Sequence, residues 1–287
     1  MTAPVPVNLV SAFKTFTGST NVAKDYYDAL RVGGLAPTWY QCISSRNRQE
    51  WDTWGKSISG LTWFGDDANV VLNSLTVFPR KIRPLGKDWV LLTDPILLPA
   101  ARHLPRVAVI VHDMREFSVH RRGRLATWVY HQLFRNIRKV SHIICVSEST
   151  RNALTSFARL SVPITVVHPS ARVAGNVESH IARSQSRLRD DQPMRVLYMA
   201  ADRPYKNIEF FIQLAKHFDP PSTKGTRFVF TLVSRLGPSS RATLSRLHPG
   251  NLDVVPRVDE VGPLYDAVDI VVHPSMIEGF GLPLAEA

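Results

Sequence analysis

The amino-acid sequence predicts an α/β protein of two doubly wound, Rossmann-like domains, the second of them incomplete. Three observations carry that prediction. Several short runs rich in β-branched residues are apolar throughout, as expected of parallel strands covered on both faces. They alternate with stretches of helical periodicity, which argues for strand–helix–strand units. A polar, poorly periodic stretch at 171–193 interrupts the alternation, and a fresh β–α series follows it. This divides the chain into a first domain at 1–175, a linker at 176–193 and a second domain at 194–287.

The strand runs in order are VNLVSAF (7–13), WVLL (89–92), VAVIV (107–111), HIICV (142–146) and ITVV (164–167) in the first part. The second part contributes RVLYMA (195–200), RFVFTLV (227–233), LDVV (252–255) and DIVVH (269–273). A first helix is expected over 19–32, because Gly33 and Gly34 form a C-terminal stop. A second, over 147–158, opens on Ser147, a good N-cap. A third, over 207–218, sets Ile208, Phe211, Ile212, Ala215 and Phe218 on one stripe. The stretches 40–68 and 115–125 carry no readable pattern.

With 287 residues the chain can hold two ordinary domains. Its 44% hydrophobic and 21% charged residues make it a core-forming protein and not a disordered one. The two cysteines, Cys42 and Cys145, have neither metal-site nor redox-motif spacing. No signal-like start is read in MTAPVPVNLVSAF. The strongest apolar run, WVLLTDPILLPAA, is broken by Asp94, Pro95 and Pro99, well short of the ~20 residues of a membrane span. A cytoplasmic location is expected, with peripheral contact at the inner face of the cell membrane.

The net charge of +11 is unevenly placed. Residues 194–287 hold ten Lys+Arg and ten Asp+Glu, so the whole excess lies in residues 1–193. A one-sided positive field attracts anionic surfaces and phosphorylated substrates. Residues 115–139 alone carry seven Lys+Arg against one Glu, with Leu125, Trp128, Val129, Gln132 and Leu133 near one helical face. Such a helix suits either a core-facing role or contact with anionic membrane.

The segment HPSMIEGFGLPLAEA (273–287) carries the most chemistry. It follows a buried-strand run, turns through Gly279 and Gly281, and enters a helix at Pro283. Free N–H groups at such a helix start attract anions. Glu278 and Glu286 flank the loop, and carboxylates accept charge-assisted hydrogen bonds from hydroxyls. Further upstream, ADRPYKN places Arg203 and Lys206 in a strand-to-helix loop, where cations can meet a phosphate. His112 and Asp113 close the apolar run 107–111 at its C-terminal end, the ligand edge of an open α/β sheet. Gly18, with Ser19, Thr20 and Asn21, leads into the first helix.

These motifs resemble those of the retaining GT-B glycosyltransferases of the family 4, or group 1, type. HPSMIEGFGLPLAEA is similar to that family's Glu-x7-Glu signature and keeps each of its fixed letters, from PS and EGFGLP to EA. ADRPYKN resembles a variant of its Arg/Lys element, although the usual glycine before the arginine is missing. VHD resembles its strand end, and the loop at Gly18 has one glycine where many relatives have two. The resemblance implies a hexosyltransferase that moves a mannose- or glucose-type sugar, with retention, from a GDP- or UDP-hexose to a saccharide or lipid-linked acceptor in cell-envelope or polysaccharide biosynthesis. It implies catalytic roles for His112, Arg203, Lys206 and Glu278. Gly18, Gly279, Phe280, Gly281, Leu282 and Glu286 would bind the donor, Glu286 through ribose hydroxyls. No cofactor or essential metal is implied, and Asp66-Asp67 and Asp190-Asp191 lack ligand partners at useful spacing.

Relatives continue past the second glutamate, so the chain reads as C-terminally truncated, and alone as a poor enzyme. The other readings are a catalytically inactive truncated relative and a basic protein binding anions or nucleic acid. No helix-turn-helix, RNP or zinc-finger pattern supports nucleic acid, and none is expected as a partner. No GxGxxG follows a predicted strand, which disfavours a dinucleotide enzyme.

Overall fold

The computed structural model describes residues 3–12, 18–44, 58–63, 70–115, 124–170, 178, 181–182, 185–186, 192–219, 227–256, 258 and 261–287. The chain forms two compact units, Met1–Ser170 and Ala171–Ala287.

The first unit runs β1 (Pro6–Ser11), α1 (Gly18–Val32), β2 (Ala36–Ser44), β3 (Ile58–Trp63), α2 (Val70–Thr76), α3 (Phe78–Ile82), β4 (Trp89–Leu92), β5 (Val107–Val111), α4 (Arg124–Phe134), β6 (His142–Cys145), α5 (Glu148–Phe157) and β7 (Ile164–Val166). Its seven described strands form one sheet, in the order β3-β2-β1-β4-β5-β6-β7. Every pairing is parallel; Leu9 faces Trp39, Val10 faces Leu92 and Val111 faces Cys145. The order reverses between β1 and β4. The all-apolar runs are explained by their burial: Leu9, Val10, Leu92, Val107, Val109, Ile110, Val111 and Ile143 are fully enclosed.

Local signals work as expected where they are strong. Gly34 takes φ +79° and ends α1, and the Leu35 amide donates to the Leu30 carbonyl across it. Ser147 caps α5 by accepting from the Thr150 amide at 3.0 Å. The apolar run after β4 becomes a 3-10 stretch, Pro95–His103. Asp94 accepts from the Ile96 amide at its start, and Pro95 occupies its first position.

The second unit runs β8 (Met194–Met199), a 3-10 turn (Pro204–Lys206), α6 (Ile208–His217), β9 (Phe228–Val233), α7 (Pro238–Leu247), β10 (Leu252–Val255), α8 (Gly262–Ala267), β11 (Ile270–Val271) and α9 (Leu282–Glu286). The described strands form a parallel sheet in the order β10-β9-β8-β11. Four of the five residues of the expected stripe on α6, Ile208, Phe211, Ile212 and Ala215, are buried, and Phe218 packs partly buried against the same core just past the helix end. Phe211 packs edge-on to Phe230 at 5.6 Å and lies 5.3 Å from Tyr198.

Two differences from the sequence reading stand out. β2 and β3 fall in or beside a stretch without readable pattern. Gln41 is buried on β2, and Gly60 interrupts β3, so neither run shows a clean period. The run DIVVH yields only Ile270–Val271 as strand, with the Val272 amide still donating to the Leu197 carbonyl before Pro274 ends the pairing. Most of the expected linker at 176–193 lies outside the described residues, as do residues 116–123 of the basic segment. No helix among the described residues is long and apolar enough to cross a membrane.

Candidate functional site

The loops after β8 and β11 meet beside one another. These strands are neighbours, while the chain leaves β8 through α6 toward β9 on the other side. The carboxyl ends of β8 and β11 therefore flank a topological switch point, where open α/β sheets bind ligands. Three contacts stitch the two loops, and one more ties the β8 loop back to its own strand. The Tyr198 hydroxyl donates to the Lys206 carbonyl at 2.5 Å, the Met276 amide donates to the Tyr205 carbonyl at 2.8 Å, and Asn207 Nδ2 reaches the Pro274 carbonyl at 3.4 Å. Lys206 Nζ pairs directly with Glu278 Oε1.

Glu278 is the hub. Its Oε1 also accepts from His273 Nε2 at 2.7 Å, and the Ser275 hydroxyl is a third partner. Partial burial alone would raise its pKa, but hydrogen bonds from His273, Lys206 and Ser275, with the lysine charge, outweigh burial and pull it down to about 2. The carboxylate is therefore ionised throughout the neutral range. Backbone conformation supports the arrangement. Asn207 sits at φ +56°, where asparagine is better tolerated than most residues, so the chain can turn from Lys206 directly into α6. Gly281 sits at φ +81° at the entry to α9, a conformation that favours glycine.

The other expected residues fall as follows. Gly279 and Phe280 lie in the loop between Glu278 and Gly281, and Leu282 opens α9. Glu286 accepts from the buried Tyr265 hydroxyl at 3.1 Å, which fixes its side chain against α8. Arg203 is exposed at the start of the 3-10 turn and is no part of the Lys206–Glu278–His273 cluster. Asp202, next to it, instead accepts from the Gly237 amide at 2.6 Å, tying the β8 loop to the start of α7.

In the first unit, His112 lies just beyond β5 and its Nε2 sits 2.7 Å from the Thr93 carbonyl. A carbonyl can only accept, so Nε2 bears the proton. Burial outweighs the other influences and lowers the His112 pKa, leaving a neutral ring whose Nδ1 is an acceptor. The network behind it is fixed: Thr93 Oγ1 donates to Ser11 Oγ at 3.0 Å and Trp39 Nε1 donates to the same oxygen at 2.9 Å. Asp113 accepts from the Arg115 amide, a loop-capping role. Gly18 is the first residue of α1, and residues 13–17 before it lie outside the described residues.

Sequence reasoning missed His273, Tyr198 and Ser275. His273 and Ser275 stand inside the quoted signature, and their signal was adjacency to Glu278 across a strand end. Tyr198 read only as a strand residue.

Residues 180–287 match the family model described as Glycosyl transferases group 1. The second unit thus carries the sequence features of that family over the segment that holds the cluster. No curated protein sequence is significantly similar to the chain. Among solved structures, the chain is similar to Anabaena HepE in complex with UDP and glucose, with 17% identity over 99% of this chain and 78% of that one, TM-score 0.68. It is also similar to the α,α-trehalose-phosphate synthase (UDP-forming) of Burkholderia vietnamiensis, with 12% identity over 97% and 80%, TM-score 0.64. A third similarity is to the lipopolysaccharide outer core galactosyltransferase WaaB, with 13% identity over 99% and 78%, TM-score 0.60. At these identities the likeness establishes the fold: two Rossmann-like units of the GT-B type.

Proposed function

We propose that this protein is a retaining hexosyltransferase that takes a GDP- or UDP-hexose as donor and a saccharide or lipid-linked acceptor. The observation that carries the reading is the pairing of Lys206 with Glu278 on adjacent loops at the switch point of the second unit, inside the segment that matches the glycosyltransferase family.

In this reading the ionised Glu278 accepts hydrogen bonds from donor-sugar hydroxyls, and Lys206 moves to the diphosphate. As the bond from sugar C1 to the diphosphate oxygen breaks, negative charge grows on the leaving group. A fixed cation there lowers the barrier, the kind of electrostatic term that often dominates catalysis. Arg203, exposed at the mouth of the same loop, adds charge once a diphosphate is bound. The backbone of Gly279, Phe280, Gly281 and Leu282 approaches the sugar and diphosphate, and Glu286 accepts from ribose hydroxyls. His112 Nδ1 accepts from a hexose hydroxyl, and Gly18 borders the donor phosphates. The new bond forms between C1 and an acceptor hydroxyl oxygen on the same face of the sugar, and the hydroxyl proton passes to the departing diphosphate oxygen. No cofactor or metal takes part. Cell-envelope or polysaccharide biosynthesis is the setting this chemistry fits, carried out in the cytoplasm with peripheral contact at the inner face of the membrane through residues 115–139.

The test is a thermal-shift panel of UDP, GDP, ADP and their hexose conjugates. Ligand at a hundred times its Kd stabilises by about 2.7 kcal/mol, a readily measured rise in melting temperature. We expect one nucleotide family to shift the wild type, and K206A and E286A to lose most of that shift. No shift with any nucleotide, or a shift unchanged in both variants, would overturn the reading.

A further inference from the structure

Two different donors share Glu278 Oε1. Lys206 stands at the end of a three-residue 3-10 turn on a flexible four-carbon stem, and its charge is what an anionic ligand would recruit. His273 is of the opposite kind. Its side chain is only 4% exposed, just beyond the end of β11. Its ring stands edge-on to that of Tyr198, at 5.7 Å and 89°. Tyr198 is itself fully buried and anchored through its hydroxyl to the Lys206 carbonyl. His273 Nδ1 is enclosed and has no hydrogen-bond partner among the described residues.

The ring's one polar contact therefore runs through Nε2 to Glu278. A carboxylate only accepts, so the proton resides on Nε2. The other tautomer would aim a lone pair at the carboxylate and leave a buried N–H without an acceptor. The ionisable side chains around the ring are Glu278, Lys206 beyond it and Tyr198.

We infer that His273 is a positioning residue that holds the Glu278 carboxylate in place through Nε2–H, so that Lys206 can leave it for an anionic ligand without Glu278 losing its orientation. The ligand side of this inference rests on the proposed glycosyltransferase function. Without His273, an anion that draws Lys206 away would leave Glu278 with Ser275 alone. Sugar-hydroxyl recognition would then suffer while phosphate recognition would not.

Calorimetry on the full chain would compare UDP-glucose with UDP, and GDP-mannose with GDP, for wild type, H273F and H273Q. Phenylalanine keeps a ring and removes the donor; glutamine returns an N–H at similar reach. We expect H273F to weaken the sugar nucleotide about tenfold or more while moving the free nucleotide by less than about threefold, with H273Q recovering most of the loss. Equal loss of both ligands in H273F, or loss of neither, overturns the inference. Should the wild type bind none of the four, the proposed function fails and a ligand-free measurement decides the positioning role. Long-range 1H–15N spectra, assigned through H273Q, should show His273 as the Nε2–H tautomer, with ring shifts that move in E278A. An Nδ1–H ring, or one indifferent to E278A, overturns it.

Discussion

Glu278 shows how much of this site is electrostatic. Its partners pull its pKa from 4.5 down to about 2, although burial pushes the other way. A carboxyl with a depressed folded pKa adds stability that is fully present above the unfolded value and is lost as pH falls through the folded one. The window is therefore pH 5 down to about 2. The full shift corresponds to about 3 kcal/mol as an upper bound, since part of the side chain meets solvent. E278Q should be less stable than wild type at pH 7 in urea unfolding, and the gap should narrow steadily as pH falls from 5 toward 2. A gap that stays constant across this range would mean that the carboxylate's charge is not what holds the loops. The sequence pointed to Glu278 through the signature at 273–287 and to Lys206 through the separate element ADRPYKN. It could not give their direct contact, which depends on β8 and β11 being neighbours despite some seventy intervening residues. His273 was hidden for a related reason: a histidine after a strand is ordinary until the fold places its Nε2 against a carboxylate.

At the scale of elements, legibility followed the strength of the local signal. The strands 89–92, 107–111 and 252–255 were readable to the residue because nothing polar interrupts their burial or their ends are sharply marked. β2 and β3 were not, since Gln41 is buried inside the sheet and Pro37 and Gly60 sit within strands. Their stability comes from parallel neighbours, a tertiary effect that no local pattern announces. α9 illustrates the reverse case, a short element set by its entry residue. Gly281 at φ +81° hands the chain from the Glu278 loop into Leu282–Glu286, and a Cβ there would meet nothing within 4 Å. The penalty for a side chain is thus backbone strain alone, about 1–2 kcal/mol for alanine. We expect G281A to lower unfolding free energy by about that amount and G281N by less, because asparagine tolerates the left-handed region. Equal costs for the two variants would point to side-chain crowding instead.

Over the whole molecule, positive charge is unevenly placed along the chain. Residues 194–287 balance ten cations against ten anions, so the net +11 belongs to the part that precedes them. The 3-10 stretch that continues α4 carries exposed cations beyond an exposed tryptophan: Trp128 is 59% exposed, and Arg135, Arg138 and Lys139 are exposed. Leu133 and Ile137 on the same segment are buried, so the helix serves the core with one side and leaves its cations and the tryptophan to solvent. Each cation near an anionic bilayer contributes about 1 kcal/mol, and three together about a hundredfold in affinity at low salt. Surface attraction of this kind is screened beyond about 10 Å at 0.1 M salt. Cosedimentation should therefore show binding to phosphatidylglycerol vesicles at about 50 mM salt that falls steeply by about 500 mM, with little binding to phosphatidylcholine. R135Q/R138Q/K139Q should remove the anionic preference, while W128A should weaken binding at both salt levels. Vesicle binding indifferent to salt and to all four substitutions would overturn electrostatic docking by this segment, and would leave α4 as a core helix with a solvated side.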